Sequence, residues 1–326
     1  MANHNIPRRP LGRTGLEVSV LSFGGSPIGG IYQSVEEDEG LKAVHEAFNS
    51  GINYFDTSPW YGELRAEIRL GKALKTLPRD KIILATKCGR YPTHFNFDGE
   101  YVTKTVKESM ERLQVDYLDV IQIHDIEFGD LDQIVKETLP ALQKLKKEGL
   151  VRHIGITGLP LKIYQYVIDR VPEGTVEMIL AYCHATLQDD TLDTITPYLQ
   201  ERGIGIVAAS ALSMGLLSNR GPPEWHPAPK EVRETCAKAA AHAKSKGVSI
   251  ERLAIQYAFQ KENVSTVLIG MATPAEVKQN VQAALEALGK QENPDKAKEE
   301  EVMKEIKEIL KPVHNQTWVV GRPENN

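Results

Sequence analysis

Short apolar runs typical of β-strands alternate with amphipathic stretches along most of this chain, and this alternation most constrains its fold. The stretches between the runs, such as Glu36 to Ser50 and Pro274 to Leu288, carry apolar residues at three- and four-residue spacing, as helices do. Strand and helix repeated eight times predict a closed parallel (β/α)8 barrel, a TIM barrel of the α/β class, and not an open doubly wound sheet. The eight predicted strands are Val18 to Phe23, Ile52 to Asp56, Ile82 to Lys87, Leu118 to His124, Val151 to Thr157, Val176 to Tyr182, Gly203 to Ser210 and Val264 to Ile269.

Additional segments are predicted around this barrel. Residues 8 to 20 form two short segments around Gly12 to Gly15, which predicts an N-terminal β-hairpin. Two connections, Cys88 to Tyr101 and Ser213 to Lys230, exceed the usual length and follow the third and seventh strands. In a barrel of this kind, both loops extend over the face that carries the active site.

The chain is long for one ordinary domain, but barrels of this size fold as single units, so residues 1–326 are predicted to form one domain. Residues from about 290 to 326 are its C-terminal helix and tail. Alternating Glu and Lys through Lys296 to Lys311 predict a solvated helix there.

Composition excludes several partner classes. The net charge of −5 provides no broad basic surface, so a small molecule is expected as the partner and neither nucleic acid nor a membrane. No apolar stretch is long enough to cross a bilayer. The three separated cysteines, Cys88, Cys183 and Cys236, argue against a disulfide framework and favour the cytoplasm. We expect a monomer or a weak homodimer.

Four polar residues lie at or just after the ends of predicted strands. Asp56 and Lys87 end the second and third strands, Tyr61 follows the second, and His124 ends the fourth. Because all strands of a parallel barrel open with their C-terminal ends on one face, these four side chains are expected to meet in one pocket.

This set suits proton transfer. A tyrosine has an ordinary pKa of about 10, so a catalytic Tyr61 needs a neighbouring positive charge, which Lys87 supplies and Asp56 holds in place. His124 is expected to orient a substrate oxygen. Taken alone, each residue also has a structural interpretation, as a helix cap, packing or surface-pair residue, but their joint placement favours the catalytic one.

Other kinds of site are less well supported. A metal site at His124, Asp125 and Glu127 is disfavoured because adjacent strand residues point to opposite faces, so no metal is expected. The stretch from Gly24 to Gly30 lacks the G-x-G-x-x-G spacing of a Rossmann fingerprint. No phosphate-binding P-loop or serine nucleophile motif is present.

Six stretches together resemble the aldo-keto reductase family across nearly the whole chain. They are LGRTGLEVSVLSFGG, FDTSPWYG, ATKCGR, SMERLQVDYLDVIQIHD, GLVRHIGITG and IGMATPAEVKQN. The family's catalytic tetrad of Asp, Tyr, Lys and His falls on Asp56, Tyr61, Lys87 and His124. The resemblance implies a TIM barrel that binds an extended nicotinamide dinucleotide without a Rossmann fold.

The resemblance also implies a set of cofactor-binding positions. The carboxamide-binding Ser-Asn pair of the family falls on Thr157 and Gly158, its sixth-strand Gln on Ile179 and its ring-stacking Tyr on Ala209, and all of these are departures. The implied cofactor-binding residues are Gly24, Gly25, Ser26, Asp56, Thr157, Gly158, Ser210, Leu212, Gly215, Leu216, Gly270, Thr273, Glu276 and Asn280.

The expected cofactor is NAD and not NADP. Members that prefer NADP carry Lys and Arg around the adenosine 2′-phosphate, where this chain has Gly270 and Glu276. A carboxylate repels a 2′-phosphate but accepts a hydrogen bond from a free 2′-hydroxyl. Glu276 also fits a purely structural role in the first turn of a helix.

Loop and tail motifs, among them HDIEFGDLDQIV, GPPEWHPAPKE and NQTW, resemble members that oxidise L-galactose at C1 to its 1,4-lactone, a reaction type of ascorbate biosynthesis. The open alternatives are L-fucose, D-arabinose, pyridoxal or an aldehyde as substrate, and a non-catalytic NAD(P)-binding regulatory subunit. The residues expected to contact the sugar are Trp60, His124, Asp125, Cys183, Trp225 and Trp318.

Overall fold

A computed structural model describes residues 6–31 and 34–326 of the chain. Eight parallel strands form a closed barrel, β3 to β10, in sequence order, and β1 and β2 pair as an antiparallel hairpin. The predicted barrel and hairpin are therefore confirmed. The strands are β1 (Arg8–Pro10), β2 (Glu17–Ser19), β3 (Leu21–Gly24), β4 (Tyr54–Asp56), β5 (Ile83–Cys88), β6 (Leu118–Ile123), β7 (Val151–Gly158), β8 (Met178–Tyr182), β9 (Gly205–Ala209) and β10 (Thr266–Gly270).

Helices alternate with the barrel strands and bury their apolar sides against them. Between α4 and α5 the chain makes one π turn, Ile134–Thr138, just before Pro140, whose ring nitrogen has no hydrogen to continue the helical bonding. The helices are α1 (Glu37–Asn49), α2 (Arg65–Leu74), α3 (Gly99–Leu113), α4 (Leu131–Gln133), α5 (Leu139–Lys147), α6 (Lys162–Ile168), α7 (Thr196–Glu201), α8 (Lys230–Ser245), α9 (Ile250–Phe259), α10 (Pro274–Ala287) and α11 (Lys296–Leu310).

The first predicted strand, Val18 to Phe23, is in fact two elements. Its beginning belongs to the hairpin strand β2, and its end is the first barrel strand β3. The hydroxyl of Ser19 donates to the carbonyl of Leu21 at 2.7 Å, and the amide of Ser19 donates to the Asn53 side chain, also at 2.7 Å. These local bonds turn the chain, so one apolar run serves two sheets.

The hairpin closes the N-terminal end of the barrel. Leu11 is fully buried and packs with Val18, Tyr54 and other side chains of the barrel interior. A side chain at Gly205 has no room there, because its Cβ would lie 2.6 Å from Cδ1 of Leu11. Leu11 therefore packs directly against Gly205 of β9 and closes the N-terminal end of the barrel.

The charged helix α11 is not solvated on all sides, so the prediction of a solvated helix was wrong for one face. Its residues Val302, Ile306 and Leu310 are buried in the cluster that includes α8. Arg252 of α9 donates to Glu299 at 2.6 Å, which pairs the one buried carboxylate of this face. The Glu and Lys pattern concealed an apolar stripe at three- and four-residue spacing.

Among the described residues, no helix combines the length and apolar character required to cross a membrane. The barrel instead keeps its apolar residues in two layers, one inside the barrel and one between strands and helices.

We expect Leu11→Ala to lower the free energy of unfolding by about 2–5 kcal/mol, because it leaves a cavity in the barrel floor. The active face lies at the other end of the barrel, so turnover at 25 °C should be preserved. Urea unfolding followed by circular dichroism, with initial rates, measures both. Leu16→Ala, in the same hairpin but half-buried, is the control and should lose less stability. Equal losses in the two variants would show that Leu11 has no special role in closing the barrel floor.

Candidate active site

The structure brings Asp56, Tyr61, Lys87 and His124 together at the C-terminal end of the barrel. Asp56 ends β4, Lys87 lies in β5 and His124 follows β6 directly. The ammonium nitrogen of Lys87 lies 4.8 Å from the ring centre of Tyr61, and the rings of Tyr61 and His124 meet edge to face at 5.8 Å. The convergence expected from the strand ends is therefore present.

Lys87 and Asp56 form an ion pair with almost no solvent exposure. Lys87 also donates to the carbonyl of Thr57 at 2.9 Å, and the side-chain amide of Gln122 donates to the second Asp56 oxygen at 2.7 Å. Gln122 was not among the predicted residues. Strand alternation identifies it, since it lies two residues before His124 and shares its face.

The pair stays charged although it is buried. Burial raises the pKa of Asp56, and Lys87 and Gln122 oppose that rise without cancelling it. Burial alone lowers the pKa of Lys87, but the carboxylate of Asp56 and the neighbouring Tyr61 hydroxyl more than compensate, so its pKa lies above the ordinary value. Lys87 therefore carries its proton at neutral pH.

Tyr61 is a neutral phenol in the free protein. Burial raises its pKa, and the neighbouring Lys87 lowers it by less. The predicted direction of the Lys87 effect is correct, but the net shift is upward. The site thus holds the tyrosine beside the charge that stabilises its phenolate while keeping the resting group protonated.

His124 is an uncharged hydrogen-bond donor. Burial lowers its pKa to about 3, against the opposing effect of Asp125. Its Nδ1 lies 3.0 Å from the Ser58 hydroxyl, while its Nε2 lies 3.7 Å from the carboxylate of Asp125. A Ser58 hydroxyl that donates to Nδ1 leaves the ring proton on Nε2, which is then suited to donate to a substrate oxygen.

An aromatic wall with one arginine stands beside the tetrad. The guanidinium of Arg90 lies 3.6 Å from the ring centre of Trp60 and pairs with Asp125. Trp60 in turn lies 5.8 Å from Tyr61 and 6.2 Å from His124, ring centre to ring centre. The sequence predicted Trp60 and Asp125 as substrate contacts, and both belong to this wall. Arg90 was not predicted, although it is the last residue of the motif ATKCGR.

Thr157 and Gly158 are occupied by protein contacts. The Thr157 hydroxyl accepts from the amide of Asp125 at 2.9 Å and donates to its carboxylate at 3.2 Å. A Cβ at Gly158 would lie 2.8 Å from a carboxylate oxygen of Glu127 and 2.4 Å from a methyl carbon of Ile163. The departure from the family pattern at Gly158 thus makes room for Glu127.

Glu127 is a buried carboxyl group in the wall of the barrel mouth. It accepts from the amide of Leu159 at 3.1 Å and from the hydroxyl of Tyr182 at 3.0 Å. Burial and the nearby Asp125 raise its pKa to about 8. Glu127 is therefore protonated at neutral pH and holds Tyr182 in place.

The other two departures differ from each other. Ile179 packs in the layer between barrel and helices, so it faces away from the pocket, and Leu180 faces the interior. Ala209 lies in register beside Tyr182 of the adjacent strand. An aromatic ring is thus present next to the position where the family pattern would place one.

The loop after β9 has a strained backbone, and the amides of Ser213, Gly215 and Leu216 donate to carbonyls within the loop. Ser210, Ser213, Met214 and Gly215 all have positive φ angles, between 46° and 102°. Such conformations persist at functional sites and turn amide N–H groups toward one concave surface. The side chains of Leu212 and Leu216 pack into the apolar cluster beneath the loop and fix it.

Glycines at the ends of β3 and β10 allow these strand ends to pack closely against neighbouring backbone. A Cβ at Gly24 would lie 3.1 Å from the amide of Gly270, and one at Gly25 would lie 3.0 Å from the carbonyl of Asp56. A Cβ at Gly270 would lie 2.8 Å from the ring of Pro27, next to Ser26. A side chain at any of these three positions would therefore push the ends of β3, β4 and β10 apart.

Thr273, Glu276 and Asn280 share one face of the first turns of α10. Thr273 accepts from the amide of Glu276 at 3.2 Å, and a Glu276 oxygen accepts from the amide of Ala272 at 2.7 Å. This arrangement is a capping box, so the structural role considered for Glu276 is present. It uses one carboxylate oxygen and leaves the other for a ligand.

The remaining predicted substrate residues are less exposed to the pocket. Cys183 is buried with a φ of 67°, and burial raises its thiol pKa. Trp225 is 57% exposed on the loop after β9, whereas Trp318 is buried against the ring of His226 at 4.8 Å. Trp318 therefore supports that loop from beneath.

The C-terminal tail connects two loops of the active face. Trp318 contacts His226 in the loop after β9. The side-chain amide of Asn325 donates to the carbonyls of Glu127 and Gly129 at 2.9 and 3.0 Å. Glu127 follows His124 closely, so the tail holds the turn that carries His124. These contacts lie far apart in the sequence, and motif analysis did not find them.

The described residues include no group of three or more His, Cys, Asp and Glu side chains arranged to hold a metal ion. The carboxylate of Asp125 instead pairs with Arg90, and that of Glu127 with Tyr182 and a backbone amide.

Residues 20–299 match the model of the aldo/keto reductase family. Over 324 residues the chain is 52% identical to L-galactose dehydrogenase of Arabidopsis thaliana, covering 98% of this chain and 99% of that protein. It is 31% identical to D-arabinose 1-dehydrogenase of Saccharomyces cerevisiae, covering 94% and 95% of the two chains. It is also 31% identical to D-threo-aldose 1-dehydrogenase of a Pseudomonas species, covering 83% of this chain and 91% of that protein.

Solved structures give the same family. The holo form of an aldo-keto reductase from Bacillus halodurans superposes with a TM-score of 0.73 at 29% identity, covering 92% of this chain and 96% of that one.

We expect Gln122→Leu to shift the rising limb of the pH–rate profile for alcohol oxidation, along which Tyr61 loses its proton, upward by about one pH unit. Loss of the amide raises the pKa of Asp56, weakens its hold on the Lys87 charge and so raises the pKa of Tyr61. Initial rates between pH 6 and 11 measure the shift.

Gln188→Leu is the matched control for this prediction. Gln188 is also buried, but its amide donates to the carbonyls of Val313 and Gln316, away from the tetrad. Its variant should lose stability without moving the profile. An unshifted profile in Gln122→Leu would show that Asp56 does not depend on the amide.

Proposed function

The chain belongs to the aldo/keto reductase family, and we propose that it oxidises L-galactose at C1 to an aldonolactone with NAD as the hydride acceptor. The observation that carries the proposal is 52% identity over nearly the whole length to an L-galactose dehydrogenase, joined to an assembled tetrad. Two further relatives are named as 1-dehydrogenases of aldoses, which supports oxidation at the same carbon.

In the proposed mechanism, the C1 hydroxyl of the sugar lies between Tyr61 and His124. NAD, when bound, accepts the hydride that leaves C1. Tyr61 in its phenolate form takes the hydroxyl proton, and Lys87 stabilises that phenolate at 4.8 Å from the ring centre. Asp56 holds Lys87, and the Nε2 proton of His124 orients the sugar oxygen.

The residues present fit an extended dinucleotide. The pyrophosphate is proposed to lie against the strained loop from Ser210 to Leu216, with Gly24, Gly25, Ser26 and Gly270 at the adjacent ends of β3 and β10. Thr157 and Gly158 lie near the nicotinamide end, where Tyr182 supplies an aromatic ring.

NAD is the proposed form of the cofactor. The face of α10 with Thr273, Glu276 and Asn280 receives the adenosine, and the free oxygen of Glu276 accepts from the 2′-hydroxyl. The same carboxylate repels a 2′-phosphate.

The sugar is proposed to contact Trp60, His124 and Asp125, with Cys183 below and Trp225 at the outer rim. Trp318 acts through His226, behind the loop, and not by direct contact. L-fucose and D-arabinose share the configuration of L-galactose at C2 to C4, so they are the nearest alternatives, and the relative that oxidises D-arabinose favours testing it.

The protein is proposed to act in the cytoplasm as a monomer or weak homodimer. The three cysteines are buried as free thiols, which suits a reducing compartment.

Purified protein should form NADH from L-galactose with a kcat/KM at least about tenfold higher for NAD than for NADP. L-fucose, D-arabinose, pyridoxal and a simple aldehyde, run in parallel, rank the substrates. Preference for NADP would refute the Glu276 argument, and turnover of another substrate alone would replace the sugar. Tight NAD binding without any turnover would favour a regulatory subunit.

Tyr61→Phe should reduce kcat by at least about 100-fold because it removes the group that takes the proton. The dissociation constant for NAD, measured by fluorescence titration, should stay within about twofold. Tyr54→Phe is the control, since Tyr54 is a buried tyrosine of the barrel interior below the tetrad, whereas Tyr61 is half-buried in the loop after β4. Similar kcat in wild type and Tyr61→Phe would remove Tyr61 from the mechanism.

A further inference from the structure

Arg90 is held rigidly at the mouth of the barrel. It follows β5 in a short hairpin in which the amide of Asn96 donates to the carbonyl of Gly89 at 2.8 Å, and the amide of Tyr91 donates to that of His94 at 2.9 Å. Arg90 and Phe95 form a bridge across this hairpin. The backbone therefore fixes where the guanidinium lies.

The guanidinium is enclosed on several sides. It lies 3.6 Å from the ring centre of Trp60, 5.3 Å from that of Phe95 and 5.7 Å from that of Phe128. Its Nη1 donates to the carboxylate of Asp125, whose side chain is only 5% exposed. Stacking on aromatic faces and a paired charge keep the planar group in one orientation.

Most donors of this guanidinium are unused. Among the described residues only Nη1 finds an acceptor, and Nε is buried without one. Arg79 provides an internal comparison, since it also pairs with an aspartate, Asp119, and lies 4.0 Å from the ring centre of Tyr117. Arg79 donates from Nη1 to the carbonyl of Ile82 and from Nη2 to that of Tyr117.

The comparison separates a structural arginine from one that is available to a ligand. Nε is buried without a partner in both arginines, but Nη1 and Nη2 of Arg79 bind backbone carbonyls, whereas Nη2 of Arg90 has no acceptor among the described residues. Its partner Asp125 lies 3.7 Å from Nε2 of His124, so the ion pair is adjacent to the group that orients the reacting oxygen.

We propose that Arg90 is a substrate-binding residue that recognises the ring hydroxyls of an uncharged aldose. Its free N–H groups donate to hydroxyl oxygens, and the Asp125 carboxylate accepts from a neighbouring hydroxyl. This inference rests on the proposed function of the same site and deepens it by assigning the chemistry that selects the substrate.

The charges favour a neutral polyol over an anion. Arg90 is already neutralised by Asp125 in direct contact, so an anionic substrate gains little from the arginine and is repelled by the carboxylate. A polyol carries donors and acceptors on adjacent carbons, and the ion pair presents the complementary acceptors and donors side by side.

The test compares Arg90→Met and Arg90→Lys with wild type. Arg90→Met should raise the KM for L-galactose by about tenfold or more, since hydrogen bonds to the sugar are lost. The NAD dissociation constant and the rising limb of the plot of kcat against pH should stay unchanged, because the tetrad is intact. Arg90→Lys keeps the charge but not the fork, and its KM should fall between the two.

Arg79→Met is the matched control. It removes an arginine of similar exposure, 25% against 22%, that also pairs with an aspartate and stacks on an aromatic ring. It should lower the melting temperature and leave the KM unchanged. This separates loss of stability from loss of sugar binding.

Two failures are distinguishable. A wild-type protein that oxidises no aldose contradicts the proposed function before any variant is compared. If the wild type is active and Arg90→Met keeps its KM, Arg90 does not bind the sugar. If the variant instead loses kcat with a shifted pH profile, Arg90 supports the tetrad and does not bind the sugar.

Discussion

The buried ion pair between Lys87 and Asp56 is the interaction on which the rest of the site depends. Each of the two charges loses several kcal/mol of hydration free energy when it is buried. Removing one partner leaves the other charge buried and unpaired, which lowers the free energy of unfolding by about 3–5 kcal/mol. The barrel meets this cost by fixing both residues on adjacent strands and adding the Thr57 carbonyl and the Gln122 amide. A closed sheet suits this task, because neither strand can shift without disturbing its neighbours. The proton chemistry of Tyr61 is thus supported by the same hydrogen bonds that close the barrel.

The sequence predicted the barrel and the convergence of the tetrad because both follow from local patterns, the alternation of strand and helix and the polar residues at strand ends. Gln122 was within reach of the same reasoning through strand alternation. Arg90 and Glu127 were not, since no periodicity relates them to their partners, Asp125 on another loop and Tyr182 at the end of β8. The division of the run Val18 to Phe23 depended on hydrogen bonds of one serine, which hydrophobicity does not reveal. The packed face of α11 was concealed by its charge.

The departures from the family pattern have a spatial explanation that an alignment does not provide. Gly158 and Ala209 are small residues where larger polar or aromatic ones are usual, and both lie beside bulk that comes from another part of the chain. The Glu127 carboxyl fills the space at Gly158, and Tyr182 stands next to Ala209 in register. The hydroxyl of Tyr182 donates to Glu127, so the two replacements form one hydrogen-bonded unit. Changes at separate positions of the chain are therefore coupled in the pocket wall.

The tail that joins the two mouth loops imposes an order in time. The turn at Glu127 and the loop at His226 are translated well before Trp318 and Asn325, the residues that hold them. The barrel strands and their helices can pack as they emerge from the ribosome, but the rim of the mouth cannot acquire its final contacts until the tail has emerged. The contacts that hold the rim of the barrel mouth therefore form only after the strands and helices of the barrel itself have been translated.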